Sequence, residues 1–202
     1  MSLTSKLIIS LDSAFDTMTS ALAGRLRQIG SSIHAAEFRG LLDPLVCQTL
    51  KWGFAEAGAH EGTVWLLDEA GENLEPAYNT GPDAEKIVGS FKQPLGAGLV
   101  CMVFASQQPF LENEVYRNAQ QSKLLDSRLQ TQTHAMIVVP FHFLHDCRGV
   151  VSCVQLKPRG GAGPDPPGFK PGHIVDVQRT VAIMSQLIEF RVLSLAVGWT
   201  TE

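Results

Sequence analysis

Gly62-Thr63-Val64-Trp65-Leu66-Leu67-Asp68 is the stretch on which the fold turns. Its core, Thr63 to Leu67, is apolar at successive positions, so both faces need cover and the strand belongs inside a sheet. Asp68-Glu69-Ala70-Gly71-Glu72-Asn73 follows as a hairpin loop, with Gly71 free to take a positive φ. The returning strand, Leu74 to Tyr78, contains Pro76, which donates nothing to a ladder and predicts a sheet-edge position.

Asn79-Thr80-Gly81-Pro82-Asp83 turns the chain into a short helix through Ala84–Val88, and Ser90–Gln93 reads as a weak third strand. Gly96 and Gly98 bracket the start of an apolar helix, Leu99–Ser106, which Gln107-Gln108-Pro109 ends. Phe110-Leu111 adds a short strand. Glu112–Thr133 is polar and long, with Val115, Leu124, Leu125 and Leu129 as its aliphatic anchors; segments of that length commonly line a site. Helix is expected near Gln121–Leu129. Two strands, Ala135–Leu144 and Arg148–Lys157, close the unit.

Helices flank this centre. Leu11, Phe15, Met18, Leu22, Leu26 and Ile29 form one stripe at helical spacing over Leu11–Ile29. Asp43 is a ready N-cap and Pro44 suits the first helical position, so a second helix starts there and stops near Gly58. Residues 158–172 are rich in Gly and Pro and read as a flexible surface loop. The last helix, about Gly172–Val197, carries two stripes: Val177, Val181, Met184, Ile188 and Leu195, and Ile183, Leu187, Phe190 and Val197. Two apolar faces need two partners, one of them a second chain.

With 202 residues, one domain is expected. A net charge of −4 without a run of either sign argues against nucleic acid. Leu7-Ile8-Ile9 is followed too soon by Asp12 and Asp16 to be a membrane span or signal peptide. Cys47, Cys101, Cys147 and Cys153 show no CxxC spacing and read as cytosolic free thiols. His142-x-x-His145-x-Cys147 is the tightest group of potential metal ligands. On a strand its two histidines point to opposite faces, so a hairpin-turn role fits better than a metal site.

Taken in order, these landmarks resemble the GAF domain family of small-molecule sensor modules. Leu41–Leu50 looks like its first core helix, residues 62–68 like its first strand and turn, and Pro94–Val100 like its Gly-x-Gly helix start. Asn113-Glu114-Val115 resembles its loop motif. Met136–Pro140 and Arg148–Leu156 resemble its final hairpin. The resemblance spans Phe38–Arg191. It implies an α+β fold, profilin-like, with a central antiparallel sheet of five to six strands and terminal helices on one face. A pocket then lies on the other face, among the Gly96–Ser106 helix and Glu112–Thr133.

On this reading, residues 1–36 are a flanking helix and residues 37–198 the GAF-like domain. Dimerisation runs through the terminal helices, by Phe15, Met18, Leu22 and Leu26 with Val181, Met184, Ile188 and Leu195. The pocket candidates are Phe104 and Phe110 as walls, with Asn113, Tyr116, Arg117 and His134 as polar contacts. Phe104 also suits a core and Arg117 a solvated loop.

The function expected is a non-catalytic, cytoplasmic regulatory domain, with a small-molecule ligand, no required cofactor, and no nucleic-acid or membrane partner. A degenerate domain that serves only to pair chains is one alternative. Another is a thiol enzyme: Leu99-Val100-Cys101 is similar to a stretch of free methionine-(R)-sulfoxide reductase, and a helix N-terminus lowers a thiol pKa. That enzyme's attacking cysteine has no counterpart between Glu112 and Met136.

Overall fold

The structure, a computed structural model, describes residues 13–144, 146–158 and 163–199; for residues 13–17 and 158 it describes only the backbone. The elements in chain order are α1 Ser13–Ser31, α2 Ala35–Leu41, α3 Pro44–Glu56, β1 Glu61–Leu67, β2 Asn73–Asn79, α4 Ala84–Ile87, β3 Gln93–Pro94, α5 Leu99–Ser106, β4 Phe110–Glu112, a 3-10 turn at Val115–Arg117, α6 Leu124–Leu129, β5 Thr131–Phe143, β6 Asp146–Pro158 and α7 Pro171–Ala196. The six strands form one sheet in the order β3-β2-β1-β6-β5-β4, and every neighbouring pair is antiparallel.

β1 is internal, as its two apolar faces require, paired with β2 on one side and β6 on the other. β2 is not the edge strand that Pro76 predicts. The two-residue β3 lies outside it, but pairs only with Asn73 and Leu74. The ladder stops short of Pro76, so its missing donor leaves no gap. Pro140 in β5 escapes the same way, because β4 pairs with residues 136–138 alone.

The sheet separates two apolar layers. On the helical side, Phe38, Leu50, Phe54 and the α7 stripe Val177, Val181, Met184, Ile188 and Val192 pack on Val64, Leu66, Ile137, Val139, Phe141 and Val151. α3 starts as its sequence dictates: Asp43 Oδ1 accepts the Val46 N–H at 2.9 Å and Pro44 takes the first turn. Arg191 of α7 reaches back to Asp43 Oδ2 at 2.6 Å and ties the two helices together.

The helical layer corrects part of the expected interface. Val181, Met184 and Ile188 are buried against the protein's own sheet and cannot meet a second chain. Leu26 is half-buried against the same core, whereas Met18 and Leu195 are exposed. Leu22 is half-buried, and the Phe15 side chain lies outside the described residues, as does His145. The seven-residue α2 is a separate helix that the apolar periodicity does not mark out. Among the described residues no helix is long and apolar enough to cross a membrane.

Candidate functional site

The other face of the sheet is the cup. Trp65, Met136, Val138, Val150 and Val154 form its floor. α5 is set across it by the Gly96–Gly98 turn, where Gly98 holds φ +93, a conformation L side chains rarely adopt. The buried Leu99, Val100, Cys101 and Val103 point down from α5, and Val115 closes the far side. One polar pair is buried with them: Trp65 Nε1 donates to Ser152 Oγ at 2.9 Å. The centre of the cup is thus filled by side chains.

What stays open is at the mouth. A cleft of about 200 Å³ is lined by Tyr116, Gln121, Lys123, Asp126, Thr131 and Gln132. The register of β5 and β6 slips between Thr133 and Ala135, and His134 is the extra residue of that bulge. Its ring stacks on Tyr116, with centroids 5.6 Å apart and planes 26° apart. Arg117 sits 5.4 Å from the Tyr116 centroid and pairs with Glu114 at 2.7 Å. Asp126 accepts from Thr133, whose N–H and Oγ1 donate at 3.0 and 2.6 Å, and so anchors the start of β5.

The structure therefore brings Tyr116, Arg117 and His134 together, while the other pocket candidates lie elsewhere. Phe104 and Phe110 are half-buried members of the apolar layer and do not line the open cleft. Asn113 turns away from it: its Oδ1 accepts the Phe169 N–H at 2.7 Å and its Nδ2 donates to the Phe169 carbonyl at 3.0 Å. Gln121, Thr131 and Gln132 join the cleft although sequence reasoning does not single them out. Polar side chains in a polar segment give no sign of which will converge.

A second cleft, about 360 Å³, runs along the start of α5 past Gly96, Gly98, Cys101, Met102, Ala119 and Gln120. Cys101 does not behave as a thiol at a helix end. Its Sγ is turned to the Pro94 carbonyl at 3.3 Å, and burial pushes its pKa up to about 11. Among the described residues no group of three or more His, Cys, Asp or Glu side chains is arranged to hold a metal.

Against known proteins, no family model and no curated sequence matches the chain. Solved structures do. A GAF domain of the phosphoenolpyruvate–protein phosphotransferase of Acinetobacter is 18% identical, with a TM-score of 0.57 over 91% of this chain and 97% of that one. The corresponding GAF domain of Coxiella burnetii gives 15%, 0.57, 89% and 97%. Free methionine-R-sulfoxide reductase of Neisseria meningitidis, solved with its substrate, gives 14%, 0.55, 95% and 98%. The chain thus has a GAF-like fold, shared by these GAF domains and by that reductase.

Proposed function

We propose that this GAF-like domain is a non-catalytic regulatory module that acts by pairing with a second copy through its terminal helices. The observation that carries the reading is the outward face of α7. Phe190 is 58% and Leu195 56% exposed, on the helix whose opposite face is buried in the core, and Val197 and Trp199, just past the helix end, are 53% and 66% exposed. Leu45 of α3 lines one groove with Phe190, Leu195 and Trp199, and Trp52 of α3 and Met18 of α1 are exposed as well. The 26, 19 and 13 residues of α7, α1 and α3 make strips about 39, 28 and 20 Å long and about 10 Å wide. Together they offer roughly 900 Å², close to one partner's share of a standard interface. A symmetric pair uses one such face twice.

Against the thiol-reductase alternative stand the inward-turned Cys101 and the lack of a cysteine between Glu112 and Met136. A reductase of this fold needs a thiolate, and a thiol held up near 11 supplies almost none at neutral pH. Purified protein is expected to leave free methionine-(R)-sulfoxide unchanged in the presence of dithiothreitol.

A second reading, a sensor for a small polar ligand, draws on the cleft at Tyr116. That cleft, at about 200 Å³, is smaller than usual ligand pockets and the one along the start of α5, at about 360 Å³, is at their lower end; pairing is preferred for the extent of the exposed apolar face. Sedimentation velocity tests the preference. The full chain is expected to be dimeric at micromolar concentration, and Phe190→Glu monomeric with unchanged circular dichroism. A monomeric wild type overturns it.

A further inference from the structure

We propose that the Gly168–Phe169 backbone is the joint through which the cup mouth and the start of α7 move together. The proposal deepens the reading of α7 as the pairing helix, but the joint belongs to a single protomer and is testable without pairing.

The joint is built from two carboxamides. Asn113, between β4 and the 3-10 turn, makes both of its bonds to Phe169, one to the N–H and one to the carbonyl. Gln155 of β6 holds Gly168 in the same way: the Gly168 N–H donates to Oε1 at 2.9 Å, and Nε2 donates to the Gly168 carbonyl at 3.4 Å. Nε2 also donates to the Gly58 carbonyl, just beyond α3, at 2.9 Å. All four polar backbone groups of Gly168 and Phe169 are thereby held by two side chains, and Gln155 is buried. Gly168 sits at φ +76 with Asn113 so close that a Cβ would meet its carboxamide at 2.9 Å.

Each end of the joint engages a different layer. Asn113 is two residues before Val115, which is buried in the cup, and three before Tyr116, which lines the open cleft. Phe169 is buried in the helical layer, and its ring meets His173 of the first α7 turn edge-on, with centroids 6.1 Å apart. The Lys170 N–H reaches His173 Nδ1 at 3.4 Å. A two-point amide pair is directional, so Asn113 cannot shift outward without carrying Phe169 with it or breaking both bonds. A change at Tyr116 then alters the stability of the first turn of α7, on the helix that carries the exposed face.

Hydrogen exchange on the full chain tests this, with Phe190→Glu as a parallel background so that loss of pairing does not affect the comparison. Tyr116→Ala is expected to speed exchange of the amides at 170–177 several-fold, with those of α3 unchanged. Asn113→Ala is expected to speed 170–177 on the order of tenfold, the equivalent of about one net hydrogen bond. In the Asn113→Ala background, Tyr116→Ala is expected to add nothing at 170–177. Equal effects of Tyr116→Ala in both backgrounds overturn the joint. So does exchange that rises at 114–118 and stays fixed at 170–177 in Tyr116→Ala alone, a result that needs no Asn113 variant to fold. Asn113→Asp, which keeps the acceptor for the Phe169 N–H, is expected to fall between wild type and Asn113→Ala.

Discussion

Gly53 of α3 lies flat against Thr180 of α7, so close that a Cβ on residue 53 would overlap the threonine hydroxyl and methyl. Alanine is the better helix former by about 1 kcal/mol, so helix propensity alone predicts that Gly53→Ala stabilises. Overpacking a tight helix crossing costs about 1–3 kcal/mol, and here the obstacle includes the Thr180 Cβ, which is not a flexible tip. Gly53→Ala is expected to lower stability by about 1–2 kcal/mol, a fall of roughly 2–8 °C in Tm by calorimetry. Thr180→Ala in the same chain is expected to restore part of the loss. A Tm that rises in Gly53→Ala would mean the helices can part at no cost.

Asp68 fastens the β1–β2 hairpin. Its Oδ1 accepts the N–H groups of Glu72 and Asn73 at 2.8 and 3.1 Å, and its Oδ2 accepts Asn73 Nδ2 at 2.8 Å. Burial raises its pKa, but the Asn73 carboxamide, those two backbone donors and Lys92 outweigh burial and hold it at about 2. Because the folded value lies below the unfolded one, the stabilisation is full above about pH 4 and is lost as pH falls toward 2. Asp68→Asn is expected to cost about 1–3 kcal/mol at pH 7 and to flatten the decline of Tm between pH 4 and 2. An undiminished acid slope in the variant would assign that decline to other carboxylates.

The sequence is most readable where one residue's backbone chemistry decides. Gly98 and the Asp43-Pro44 pair set the starts of α5 and α3, and the unbroken apolar run at Thr63–Leu67 places β1 inside the sheet. It is least readable where partners are distant. Nothing local to Asn113 points to Phe169, 56 residues away, so a loop asparagine beside a pocket motif reads as a pocket residue. The two stripes of α7 are also equivalent by period alone. Contact with the sheet selects the Val177–Val192 stripe, and Leu195 leaves it at the exposed end of the helix. The cup floor includes Trp65, whose bulk fills space that a strand pattern leaves unassigned.

Glu61 carries the opposite charge logic to Asp68. It is buried at the first position of β1, with its carboxylate packed on Gly81. Burial raises its pKa, a hydrogen bond from Asn79 counters this, and the neighbouring Asp83 adds to the rise. With the folded pKa above the unfolded one, the stability tied to its bound proton is complete below the unfolded value and is lost as pH climbs through the folded value. Glu61→Gln keeps the shape and removes the charge. It is expected to raise Tm by a few degrees at pH 8 while changing it little at pH 4. A variant that melts lower at both pH values would show the carboxylate to be the preferred state.

The thiols give a chemical measure of the same structure. At pH 8 an ordinary cysteine is about one-quarter thiolate, whereas a group at about 11 is roughly one part in a thousand. Native Cys101 is therefore expected to react with iodoacetamide about two orders of magnitude more slowly than the same residue in denaturant, even before its burial is counted. Cys153 is fully buried, which also raises its pKa, and is expected to be protected as well. Cys47 and Cys147, which are partly exposed, are expected to label first by peptide mass mapping. Fast labelling of native Cys101 would mean that α5 presents a thiolate after all, and would return the reductase reading to the front.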